Sequence, residues 1–219
     1  IRDRQTVRAI VGVGWFRGLG VAIAVLILLR AVAAAMLPLV PEEAYYWMYG
    51  QFPSLSYFDH PPMVAWVIQA DTILFGDSEF GVRFGNQALM IAASAMMFAY
   101  ARQWHGKRVA VTSALAIQLL PAYFAAGFVA TMDAALLFFW LLALWGVGLA
   151  FKQGRASGWY IAGAACGAAM LSKYTGVFIL GGAGLAMLLH RPWRQRWMLS
   201  PHPYLAALLA VAVFSPVIV

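Results

Sequence analysis

Cysteine is nearly absent. Cys166 stands alone in a Gly/Ala-rich apolar run, which excludes a disulfide framework or a cysteine-built metal site and leaves it a small packing residue. Charge is scarce too: charged residues make up 11% of the chain, only 8 of them acidic, and no Lys or Arg occurs between Arg30 and Arg83. Soluble domains carry about 25% charged and roughly 45–50% apolar residues. Here 63% are hydrophobic and the mean hydropathy is +0.78. A soluble core formed by 219 residues could not enclose that much apolar surface, so the composition implies an all-α polytopic membrane protein. A pI near 9.9 does not make nucleic acid a partner. The basic residues are spread over short connections, which fits the anionic inner surface of a membrane and lipid contacts better.

What the chain has in quantity is long apolar runs: Gly18–Val40, Phe84–Ala101, Val109–Ala125, Ala134–Phe151, Gly158–Leu171, Gly176–Leu189 and Tyr204–Val219. Read as spans, they number about seven. The first is too long for a signal peptide and long enough to cross a bilayer with some tilt. Arg30 lies inside it and must point into the bundle or snorkel outward. Four connections, Ile1–Arg17, Arg102–Arg108, Lys152–Arg155 and His190–Arg196, hold 12 of the 15 basic residues. They alternate along the chain as loops on one face must, and the positive-inside rule places them in the cytoplasm. All acidic residues except Asp3 then fall outside or at outer helix ends. Residues 1–219 read as one transmembrane domain with 41–83 as its first outer loop. A start at Ile1 and an end within an apolar run read as a piece of a longer protein.

The outer loop opens with PEEAYYWMYGQFPSLSYFDHPP (Pro41–Pro62), which holds three carboxylates, one histidine and seven aromatic rings. Glu42 or Glu43 at the mouth of a bundle suits a general base toward a hydroxyl or amine. The same pair also suits a solvated helix start, where acidic residues are favoured. Asp59 and His60 are both metal ligands and acid–base groups, stiffened by Pro61 and Pro62. Asp59 serves a divalent ion if a third ligand joins it, or else caps a helix that follows the prolines. Asp133 opens the fourth run as a helix cap or as part of a site. Two runs are short, and Ser172-Lys173-Tyr174-Thr175 breaks them; such breaks mark binding sites at membrane depth. Gly163, Gly167, Gly176, Gly181 and Gly184 allow close helix packing there. Lys173 and Arg83, outer cations kept against the general charge rule, suit an anionic ligand such as phosphate.

In this order, PEEAYYW, SYFDHPPMVAW, FGDSEFGVRF, ATMDAALLFFW and LSKYTG resemble glycosyltransferase family 39, the protein mannosyltransferases and lipid A aminoarabinose transferases. The likeness is nearest to a bacterial subgroup with YFDHPP. It implies a C-type glycosyltransferase fold in a bacterial inner membrane, with the active site facing the periplasm or outside. The implied donor is a sugar on a polyprenyl phosphate, the acceptor a lipid, glycan or protein, and transfer inverts the anomeric centre. The first position of the family's acidic pair is the catalytic base, usually Asp; here it is Glu42, with Glu43 second. Lys173, Arg83 and Asp133 match family positions. His60 stands where aminoarabinose transferases carry a lysine near the donor phosphate, and Tyr45 replaces one of their arginines. Asp59 matches an acidic position that helps hold a divalent ion in some relatives, whose partner histidine would lie beyond Val219. Without the resemblance, two other classes fit the same helices: a flippase of lipid-linked sugars, which needs no base at Glu42, and a non-catalytic scaffold.

Overall fold

The computed structural model describes the backbone of residues 4–218 and, from residue 20 onward, the side chains. The basic group Arg2, Arg4, Arg8 and Arg17, with Asp3, lies outside the described side chains. All regular elements among the described residues are helical. Helix α1 (Arg4–Met36) ends where Pro38 withdraws a backbone donor and disfavours helix in the residue before it. The chain bends by 74° into α2 (Pro41–Gln51). Half of the Pro41–Pro62 stretch that opens the expected outer loop is therefore helix. Pro41 occupies its first turn, and Glu42 and Glu43 sit at the positive end of its dipole.

Helix α3 (Met63–Phe75) follows the buried Pro61–Pro62 pair, with Pro62 itself at the N-cap. Ser78 then caps α4 (Glu79–His105), its hydroxyl accepting from the Gly81 N–H at 3.1 Å. The run Val109–Ala125, expected as one span, is broken into α5 (Lys107–Ala116) and α6 (Pro121–Ala126). Pro121 has no N–H to continue the helix. Helix α7 (Met132–Gln153) is capped by Thr131 and ends at Gly154, whose φ of +67° is open to glycine. It is followed by α8 (Ser157–Ser172), a 3-10 turn (Tyr174–Val177) running into α9 (Phe178–Leu189), α10 (Arg191–Trp197) and α11 (His202–Phe214).

Among the described residues α7 is the one helix long and apolar enough by itself to cross a membrane; counting the bent pairs α1–α2 and α10–α11 brings the number to three. α7 packs between α4 and α8, and α8 packs on α11. A methyl group on Gly163 or Gly167 would collide with the α11 backbone at Ala206 or Ala210, so glycine sets that approach. Gly176 is likewise crowded, against Ala169 and Met170, whereas Gly181 and Gly184 face open space and pack against nothing described. The Cys166 thiol is buried and donates to the Gly176 carbonyl at 3.4 Å.

Along α7 the molecule has two chemically distinct ends. Asp133 and Lys152 sit at opposite ends of α7, about 30 Å apart at 1.5 Å per residue. At the Lys152 end Trp193 stacks on Phe151 with centroids 4.2 Å apart and lies 6.5 Å from Trp104. The connections Arg102–Arg108, Lys152–Arg155 and His190–Arg196 thus meet at one end, as their charge led us to expect. Arg30 points into the bundle: Nη1 and Nη2 donate to the Gln118 side chain and carbonyl at 2.6 and 2.7 Å, and its guanidinium lies over Phe124.

Candidate active site

Neighbouring residues on a helix point about 100° apart, so Glu42 and Glu43 diverge. Glu43 turns inward and is 0% exposed. As the third residue of α2 it accepts from the Val40 N–H at 3.0 Å, half of a capping box. Its two oxygens also accept from Arg83 Nε at 2.7 Å and Nη2 at 2.6 Å, and from the Ala130 N–H at 2.9 Å. Burial alone would raise this carboxyl; Arg83 and the two backbone N–H groups outweigh it and hold Glu43 below the usual glutamate range.

Arg83 differs from the expectation. Besides Glu43, its Nη1 donates to the Ala34 and Leu37 carbonyls and its Nη2 to that of Pro38. All five guanidinium donors are taken, and the residue is fully buried. It closes the carbonyl end of α1, which the prolines leave without helical donors, and has nothing left for a donor phosphate. Asn86, one turn on, donates to the Val129 and Thr131 carbonyls at 2.9 and 3.1 Å and fixes the α6–α7 connection.

Glu42 points the other way, into a cleft of about 460 Å³ lined also by Tyr123, Ala126, Val129, Thr131 and Asp133. Tyr46, one helical turn later, donates to Glu42 Oε1 at 3.3 Å. Burial first, then the Glu42 and Asp133 carboxylates, pushes the Tyr46 hydroxyl up from its ordinary value. Asp133 is not the cap of α7, a role taken by Thr131; it accepts from Lys173 Nζ at 3.0 Å. Lys173 sits in extended backbone at the break after α8, and the pair is half-exposed, at 40% and 51%. An exposed pair of this kind adds little stability; its consequence is where it holds the ammonium.

On the adjoining edge Tyr45 donates to Asp59 Oδ2 at 2.6 Å and meets the Tyr49 hydroxyl. The hydrogen bond to Asp59, first among the causes, raises the Tyr45 hydroxyl from its ordinary value. His60 packs edge-on against Tyr46, with ring centroids 5.6 Å apart. Asp59 does not cap α3. Its described partner is a phenol, and no group of three His, Cys, Asp or Glu among the described residues fits an ion. Glu42, Tyr46, Asp133 and Lys173 thus share one corner, with Tyr45, Asp59 and His60 beside it. Sequence reasoning missed Tyr46 because α2 was read as loop; on a helix, its spacing of four from Glu42 would have revealed it.

The sequence was compared with known proteins. Residues 59–219 match the model of the dolichyl-phosphate-mannose-protein mannosyltransferase family. The chain belongs to that family. Among curated proteins, the chain is similar to the lipid A galacturonosyltransferase RgtD of Rhizobium johnstonii, 31% identical over 150 residues, 68% of this chain and 32% of RgtD. The undecaprenyl phosphate-α-4-amino-4-deoxy-L-arabinose arabinosyl transferase of Edwardsiella ictaluri is 30% identical over 176 residues, 74% of this chain and 31% of that protein. The chain thus spans about a third of the length of these relatives. In structure it is similar to ArnT of Cupriavidus metallidurans in the apo state, with a TM-score of 0.74 at 23% identity over 93% of this chain and 41% of ArnT. The S. cerevisiae protein O-mannosyltransferase Pmt1–Pmt2 complex gives a TM-score of 0.61 at 19% identity, over 90% of this chain and 32% of the matched yeast chain. The fold is the C-type glycosyltransferase fold of ArnT.

Proposed function

We propose that this chain carries the acceptor-activating corner of a membrane glycosyltransferase. The enzyme moves a sugar from a polyprenyl-phosphate donor to a lipid, glycan or protein acceptor, with inversion. One observation carries the reading: Glu42 and Asp133 line the same cleft, and Asp133 holds Lys173 at its rim. Family membership and relatives named as undecaprenyl-phosphate and lipid A sugar transferases support it.

Glu42 takes the proton of the acceptor hydroxyl or amine as that atom bonds to the anomeric carbon. The bond from that carbon to the phosphate oxygen breaks on the opposite face, and its electron pair leaves with the phosphate. An ammonium has three donors, and Asp133 accepts one from Lys173. The other two meet the developing phosphate charge. His60 stands at the adjoining edge as a further donor, Tyr45 gives its one proton to Asp59 and positions that carboxylate instead, and Glu43 with Arg83 fixes the turn that presents Glu42. In this reading the bundle sits in a bacterial inner membrane with seven spans, the N-terminus and basic connections in the cytoplasm and residues 41–83 outside. Residues 1–219 belong to one transmembrane domain.

The test is Glu42→Gln in the full-length enzyme. It keeps size and hydrogen bonding but deletes the base, so transfer should fall by about 10²-fold or more while donor binding is kept. Glu42→Asp, the usual family residue, should retain or raise activity. Equal turnover in Glu42→Gln and wild type would end the assignment.

A further inference from the structure

The end of the bundle opposite Glu42 has no role in the reaction above, and its composition calls for a partner. Eight cations gather there: Arg102, Lys107, Arg108, Lys152, Arg155, Arg191, Arg194 and Arg196, all exposed. No acidic residue occurs after Asp133, and none lies in the 102–108 connection. Three of the eight are tied to the protein. Lys152 donates to the Gln103 carbonyl, Arg194 to that of Leu188 at 2.9 Å and Arg196 to that of Gly154 at 2.8 Å. Among the described residues Lys107, Arg108, Arg155 and Arg191 make no side-chain hydrogen bond or ion pair.

These cations stand on a rigid aromatic base. Trp193 stacks on Phe151 and touches His190, and Trp159 lies edge-on to both Phe151 and Trp197. Helix α10 therefore turns its tryptophans toward the bundle and its arginines outward. It bends 79° from α11, so it lies across the helix ends rather than along them. Exposed apolar residues flank it: Leu189 at 76%, Met198 at 43% and Leu199 at 97%. Arginines beside bare leucines on a transverse helix match the layering of a bilayer surface, with phosphates at one level and acyl chains just below.

We propose that this end is a docking surface for anionic phospholipid headgroups. The three basic connections provide the charge, and Leu189, Met198 and Leu199 enter the acyl layer beside them. Charge complementarity selects this occupant: a zwitterionic headgroup would leave eight cations crowded on one surface without neutralisation. The proposal is independent of the transferase reading, since it concerns a different end and needs no turnover.

The test uses the full-length protein reconstituted in phosphatidylcholine bilayers with trace spin-labelled phosphatidylglycerol or spin-labelled phosphatidylcholine. Wild type should hold the anionic probe in its motionally restricted shell at least about threefold over the zwitterionic one. Raised salt should shrink that preference. Lys107→Gln/Arg108→Gln/Arg155→Gln/Arg191→Gln should abolish most of it. Among the described residues these side chains make no hydrogen bond or ion pair, so the variant should fold, and an unchanged melting temperature checks that. If the variant loses its fold, Arg155→Gln/Arg191→Gln alone should still lose part of the preference. Equal restriction of the two probes by wild type, or full preference in a folded variant, would overturn the proposal.

Discussion

The two ends of this bundle handle charge in opposite ways. At the Glu42 end, Glu43 and Arg83 are completely buried and satisfy each other, with backbone groups of Ala34, Leu37, Pro38, Val40 and Ala130 taking the remaining bonds. At the Trp193 end the cations are exposed and have no carboxylate among the described residues to meet. Buried charge must be paired inside the protein because nothing else can solvate it. Exposed charge can remain unpaired when its counterion lies outside. The first end is thus organised around internal geometry and the second around a surface, and each should respond differently to the loss of one charge.

The largest effect is expected at the buried pair. Arg83→Met leaves the Glu43 carboxylate desolvated without its partner and should cost about 3–5 kcal/mol, read as a lowered melting temperature in detergent. Glu43→Gln in the same chain should recover part of the loss. In wild type Glu43 is held below the usual glutamate range. The stability it contributes is therefore present above the unfolded-state value of about 4.3 and lost as pH falls through the folded one. In Arg83→Met the buried carboxyl gains from taking up a proton, so its deficit against wild type should narrow on acidification. A deficit that is small and independent of pH would break the contrast between the two ends.

Lys173→Met should come next. If its ammonium meets the donor phosphate, affinity for a polyprenyl-phosphate sugar should weaken by about 1.5–3 kcal/mol, the range for hydrogen bonds to charged groups. Melting should hardly change, because the pair with Asp133 is exposed. Unchanged donor affinity in the full-length enzyme would reduce Lys173 to a structural break residue. Tyr46→Phe removes one hydrogen bond to Glu42 and should cost about 0.5–1.5 kcal/mol in transfer, seen in kcat more than in KM. The smallest effect belongs to the open end. Lys107→Gln or Arg155→Gln should shift folding stability by no more than about 0.5 kcal/mol, and a larger loss would mean that these cations have internal partners after all.

Composition and the alternation of charge were enough to determine the helical class, the break at Lys173 and the gathering of three basic connections, 102–108, 152–155 and 190–196, at one end. They depend on local properties: apolar length, backbone donors and the sign of charge in each connection. Gly163 and Gly167 were legible as packing residues for the same reason, while Gly181 and Gly184 carry the same signal and face open space. Only the tertiary structure decided that Glu43 and Arg83, 40 residues apart, consume each other. In sequence Arg83 looked like an outer cation free for phosphate, because nothing local records the α1 carbonyls it closes. It also decided that Asp133 holds Lys173 across another 40 residues, and that Asp59 accepts from Tyr45. A residue's type limits which bonds it can make, but the folded chain determines which partners arrive first, and a guanidinium has only five donors to give.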